Sequence, residues 1–158
     1  MTLLPLFQWA AHAPIFAVMR DSKWGFAIVE MVHLLALTCL GGTVLLVDLG
    51  ILGVGFRRVS IPRVARDLAP LFLGSLLLTA VSGALLVAAE AMKCYYHPAF
   101  PVKMLLFVFA VTFHFTLHRR LIEVGTDGTP SLGSKLGAAG SLALWCTVGL
   151  AGRTIGFL

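Results

Sequence analysis

The chain has 158 residues, 59% of them hydrophobic and only 12% charged, with a mean hydropathy of +0.96 and a formal net charge of +5. A water-soluble domain carries about 25% charged residues, so this composition excludes an ordinary soluble fold and points to lipid as the outer solvent. The bases stand at the ends of apolar runs rather than along one stripe, which excludes a face that tracks nucleic-acid phosphates and suits lipid headgroups instead.

Residues 1–24 do not read as a cleavable signal. The first base is Arg20, and Pro5 and Pro14 interrupt the apolar stretch. Phe7, Trp9, Ile15, Phe16 and Met19, followed by Arg20, Asp21 and Lys23, predict a short helix lying in the membrane interface. A packed or unstructured leader is the alternative for the same residues.

Four spanning helices are expected after it, over residues 25–56, 69–92, 101–118 and 136–152. A hydrocarbon core of about 30 Å takes about 20 helical residues, so the first of these is long enough to tilt or project. Helices are the default because every backbone amide in lipid must be bonded internally, and the alternating segments of a barrel are absent. The expected fold class is therefore all-α. An N-terminal interfacial segment (1–24) precedes an integral membrane domain (25–158), an up-and-down bundle of four transmembrane helices.

Arg57, Arg58, Arg63 and Arg66 crowd the first link, and Arg119, Arg120 and Lys135 flank the third. Arg20, Lys23, Lys93, Lys103 and Arg153 fall on the other side. The positive-inside bias then puts both termini outside the cytoplasm. Gly133, Gly137 and Ser141 follow the small-xxx-small spacing that lets helices approach closely. Cys39 and Cys146 lie inside apolar runs and Cys94 in a predicted loop, with no CxxC spacing.

Ionisable groups inside a membrane are costly and need a reason. In the first spanning helix Glu30 and Asp48 are five whole turns apart, and His33 lies about 60° to one side of Glu30. These residues should turn inward. Lys103, His114 and His118 share a face of the third helix, and Ser75, Thr79, Ser82 and Glu90 a face of the second. Glu90 and Arg153 are expected to pair, so that Glu30, Asp48, Glu90 and Arg153 form a buried polar network.

Histidines facing each other across a helical bundle are the usual axial ligands of b-type haem. His33 is the first candidate, with His114 or His118 as the second. Those two share a helix and cannot ligate opposite faces of one haem. His33 and His114 are also the candidates for a metal, although no third ligand follows from spacing alone. A structural role for all the histidines, as hydrogen-bonding partners between helices, stands beside these readings. Hydrolase, nucleotide and metalloprotease motifs (G-x-S-x-G, the P-loop, H-E-x-x-H) are absent from the sequence.

Trp24-Gly-Phe-Ala-Ile-Val-Glu-Met-Val-His-Leu-Leu-Ala-Leu, then Gly42-Thr-Val-Leu-Leu-Val-Asp-Leu-Gly50 and His97-Pro-Ala-Phe-Pro-Val-Lys103, resemble a family of small, uncharacterised four-helix proteins of the bacterial inner membrane. A looser likeness is to the copper-resistance CopD and cytochrome b561 type of membrane bundle. The first resemblance implies fold and location, and the charge bias makes both termini periplasmic; the second keeps haem open. The expected function is membrane electron transfer by a haem b protein exchanging electrons with quinone or a periplasmic partner. The alternative is a non-catalytic accessory subunit, packed against other membrane subunits or a second copy. A third option is a small oligomeric transporter with an acidic proton relay, for which no inverted repeat speaks.

Overall fold

A computed structural model describes residues 4–22, 24–54, 60–118 and 131–157, with only the backbone described at 117–118 and 153–157. Among these residues the chain is all-helical. It forms α1 (Leu4–His12), α2 (Pro14–Asp21), α3 (Gly25–Leu52), α4 (Ile61–Ala89), α5 (Ala91–Tyr96), α6 (Ala99–Phe113) and α7 (Leu132–Phe157). A π-helical turn, His114–His118, continues α6. Three helical stretches, Gly25–Leu52, Ile61–Ala89 and Ala99–Thr116, are long and apolar enough to cross a membrane.

There are thus seven α-helices among the described residues, where four spanning helices and one interfacial helix are expected. Two local breaks make the difference. Pro14 pushes Ala13 into an extended conformation (φ −67°, ψ 125°) and starts a new helix at its first position, so the N-terminal segment is a pair of short helices. Glu90 (φ −109°, ψ 36°) and the extended His97 before Pro98 bracket a further short helix, α5, between the long ones.

The ends of the long helices also shift. The first stops at Leu52 instead of near residue 56, because Gly53 adopts the left-handed conformation (φ 83°) and turns its N–H back onto the carbonyls of Leu49 and Gly50. The second begins at Ile61 rather than near residue 69: Pro62 sits in its first turn, and Arg63, Arg66 and Asp67 are exposed there. The fourth runs from Leu132 to Phe157, longer at both ends than the expected 136–152.

α3 packs against α4 and α7, and α6 against α7. Two apolar clusters hold the bundle. Leu40 and Val44 of α3 meet Phe72 of α4, with Leu76 and Trp145 around them. Nearer the α3–α4 link, Val47 and Ile51 close on Ala138 of α7, with Leu52, Ile61, Ala65 and Leu68 alongside. Around α3 the buried positions His33, Ala36, Leu40, Thr43, Val44, Val47 and Ile51 recur every three or four residues, the spacing of one helix face.

The small residues of α7 that reach this core are Ser134, Ala138 and Ser141, at 2%, 0% and 1% exposure. Gly133 is exposed and Gly137 half-buried. The small-xxx-small stripe is real but lies one position along from the expected glycines. Shifting by one residue turns the contact face by about 100°, so the glycines sit at its edge.

At one end, here called the proximal end, α1 and α2 close over the start of the bundle. Phe7 packs on Tyr95 and Phe100 at ring-centroid distances of 5.4 and 6.0 Å. Arg20 Nη1 donates to the Ala89 carbonyl at 3.5 Å, which answers a last-turn carbonyl of α4 with a cation. The distal end carries the α3–α4 and α6–α7 links.

Candidate functional site

α3 and α4 run antiparallel from their link, so residues equally far from it face each other. His33 and Ser82 meet in this way, and both are buried. His33 Nδ1 lies 2.9 Å from Ser82 Oγ. The Ser82 hydroxyl donates its one proton to the Leu78 carbonyl at 2.6 Å, so its oxygen accepts from Nδ1–H of His33. In the neutral ring that leaves the lone pair on Nε2.

Gly83 explains how the ring fits. A Cβ at that position would stand 3.0 Å from His33 Cε1 and 3.6 Å from Nδ1. The imidazole therefore lies against bare backbone of α4, a close approach only glycine permits.

Lys103, in the first turns of α6, comes to the same locus. It is half-buried, it acts electrostatically on His33 and Cys94, and a Cβ on Gly152 of α7 would stand 3.2 Å from its Cε and Nζ. Four long helices thus contribute to one polar centre near the proximal end: His33 from α3, Ser82 and Gly83 from α4, Lys103 from α6 and Gly152 from α7.

His114 belongs to another level. It stacks on Phe72 with 3.8 Å between ring centroids and 16° between planes, and Trp145 meets the same Phe72 edge-on at 6.3 Å. Phe72 and Ser82 are ten residues apart on α4, about 15 Å along the axis. The structure therefore does not bring His33 and His114 together, and one iron or metal ion cannot reach both. The His118 side chain lies outside the described residues. Among the described residues no group of three or more His, Cys, Asp or Glu is placed to hold a metal ion.

The expected acidic network is dispersed. Glu30 is exposed rather than turned inward. It lies at the edge of the buried arc of α3, about 100° from its centre, where no helix covers it. Asp48 shares that angle yet is 0% exposed, because α4 and α7 both close on α3 at its level. Glu90 is half-buried at the α4–α5 junction, at the opposite end from Asp48, and the Arg153 side chain lies outside the described residues. His97 serves as a local cap: its Nδ1 accepts from the Ala99 N–H at 3.2 Å.

Periodicity put Ser82 and Lys103 on the polar faces of their helices, but it did not give Ser82 as the partner of His33 or Lys103 as its neighbour. His33 is nineteen residues before the end of α3 and Ser82 twenty-one after the start of α4, which sets them at nearly one depth.

Cys94 is buried on α5 rather than placed in a loop, and burial pushes its thiol pKa up, with the Glu90 carboxylate adding to the rise. A raised pKa means less thiolate at a given pH below it, and the thiolate is the reactive form. We expect alkylation of Cys94 at pH 8 to lag behind that of a free cysteine by about tenfold, and Glu90→Gln to recover part of the difference. Site-resolved mass spectrometry after iodoacetamide treatment checks this; a wild-type Cys94 alkylated as fast as a model thiol contradicts it.

No curated protein and no solved structure matches the chain. A family model described as "Family of unknown function (DUF6644)" matches residues 6–158, and with nearly its whole length covered the chain belongs to that family.

Proposed function

We propose that the protein is a small membrane redox component with a b-type haem at the proximal polar centre, where His33 would hold the group. The arrangement of His33 carries this reading. Its Nδ1–H is fixed by Ser82, whose own proton is committed to Leu78, and a histidine that binds iron or zinc typically donates its other ring N–H in this way. A bound haem would supply one-electron chemistry there; the chain's part is to orient the ring, exclude water and keep one nitrogen free. His114 is not part of this centre. The haem of this reading has one histidine from this chain, and quinone is the electron-exchange partner inside the bilayer. We place α7 as a fourth membrane pass, with the termini on the periplasmic side of a bacterial inner membrane.

A reduced-minus-oxidised spectrum of protein produced with ample haem tests the reading. The expected result is a Soret shift in the wild type that His33→Ala removes. A wild-type preparation without that band ends the haem reading.

One observation favours a second reading, an accessory subunit of a larger membrane complex. α6 buries Ala110 alone among its fifteen residues, and Val102, Leu105, Val108 and Phe109 are all exposed. A face so bare suits another membrane protein as well as lipid. A stable complex after mild solubilisation, unchanged by His33→Ala, would support it.

A further inference from the structure

Lys103 sits in a membrane-length helix, half-buried, and no carboxylate lies within 4.0 Å of it among the described residues. An ammonium held in that setting is costly unless an anion meets it. The chain has seven acidic side chains to offer. Asp21 lies 4.0 Å from Arg20 and Glu30 is exposed. Asp48 is buried near the distal link, and Asp67 is exposed in the first turns of α4 at that same end. Glu90 acts on Cys94 but is not among the groups acting on Lys103. Glu123 and Asp127 lie outside the described residues. The groups that do act together with Lys103 are His33 and Cys94, neither of them an anion by default.

The space around Lys103 is cleared as well as the charge. Gly152 leaves its Cε and Nζ against bare backbone of α7, and Gly83 does the same for His33 on α4. Measured from the proximal ends of their helices, Lys103 is four residues into α6 and His33 eight into α3, about 6 and 12 Å. The cation is thus nearer the surface and the imidazole deeper. That gradient matches a molecule with a carboxylate at one end and an apolar body at the other.

We propose that Lys103 is the countercharge for the carboxylate of an amphiphilic ligand whose apolar body lies beside His33. In its porphyrin form the inference rests on the haem reading above; an acyl-chain carboxylate would use the same ammonium without it.

The test is a titration of the purified full chain in detergent with two acid–ester pairs: haem b and its dimethyl ester, oleate and methyl oleate. Binding is read by tryptophan quenching and native mass spectrometry. Wild-type protein should bind the acid about tenfold tighter than its ester in one of the pairs, the difference a charge-assisted contact makes. Lys103→Gln should remove that preference and Lys103→Arg keep it. A preference in the porphyrin pair identifies the ligand as the haem. A preference confined to the oleate pair sustains the carboxylate site and overturns its porphyrin form, while the haem reading itself is decided by the Soret band. Equal binding of acid and ester by the wild type in both pairs, a result that needs no variant to fold, overturns the inference, as does an undiminished preference in Lys103→Gln.

Discussion

Gly83→Val should destabilise the protein by about 3 kcal/mol and strip the proximal centre of its ordered histidine. The first added carbon alone would stand 3.0 Å from His33 Cε1, and two methyl groups beyond it add bulk at the same place. His33 must then swing off Ser82. The cost combines overpacking with a buried imidazole N–H and a serine oxygen that have lost each other. Gly74→Ala is the matching control, since nothing lies within 4 Å of a Cβ there, and it should stay within about 0.5 kcal/mol of wild type. Unfolding in a dodecyl sulfate titration followed by tryptophan fluorescence separates the two. If Gly83→Val unfolds at the wild-type midpoint, the close seat of His33 on α4 is not as described.

A second large effect is expected at Ala138, which is 0% exposed and packs on Val47 and Ile51 of α3. In lipid there is little hydrophobic gain from burying an alkyl group, because the acyl chains are as apolar as leucine. Contact between α3 and α7 depends on close approach, and a small side chain is what permits it. Ala138→Leu should therefore cost about 1–3 kcal/mol by wedging the helices apart, although it adds apolar surface. Gly133→Ala should cost less than about 0.5 kcal/mol, because its Cβ would meet only Ser131 Oγ at 3.7 Å. The reverse ranking would mean that the glycines, not the Ser134–Ala138–Ser141 stripe, form the contact.

Much of this architecture was legible in the residues. Apolar runs of about membrane length mark the long helices, and of the residues expected to turn inward on α3, His33 and Asp48 are buried. Ser75, Thr79 and Ser82 are buried together, as their shared helix face implies. What periodicity does not encode is which part of a face a neighbour covers. Glu30 and Asp48 point in one direction, yet only Asp48 lies where two helices converge. Depth across different helices was equally out of reach for α6. Its distance from α4 depends on α5 and the His97–Pro98 break, so the level of His114 against Phe72 could not be counted along the chain. For α3 and α4 the expected bounds put His33 and Ser82 about ten residues apart in depth; the observed ends at Leu52 and Ile61 bring them level. The location of Lys103 near His33 needed all four long helices in place.

The contact between the N-terminal helices and the far side of the bundle bears on how the chain assembles. Arg20 reaches a carbonyl 69 residues later, and Phe7 settles between two rings of α5 and α6. These two helices can therefore dock only once α4, α5 and the start of α6 are in place. Trp9, Ile15 and Val18 stay exposed on their outer side after docking. Helices α1 and α2 thus act as a closing flap, shut only when the helices beneath them are in place.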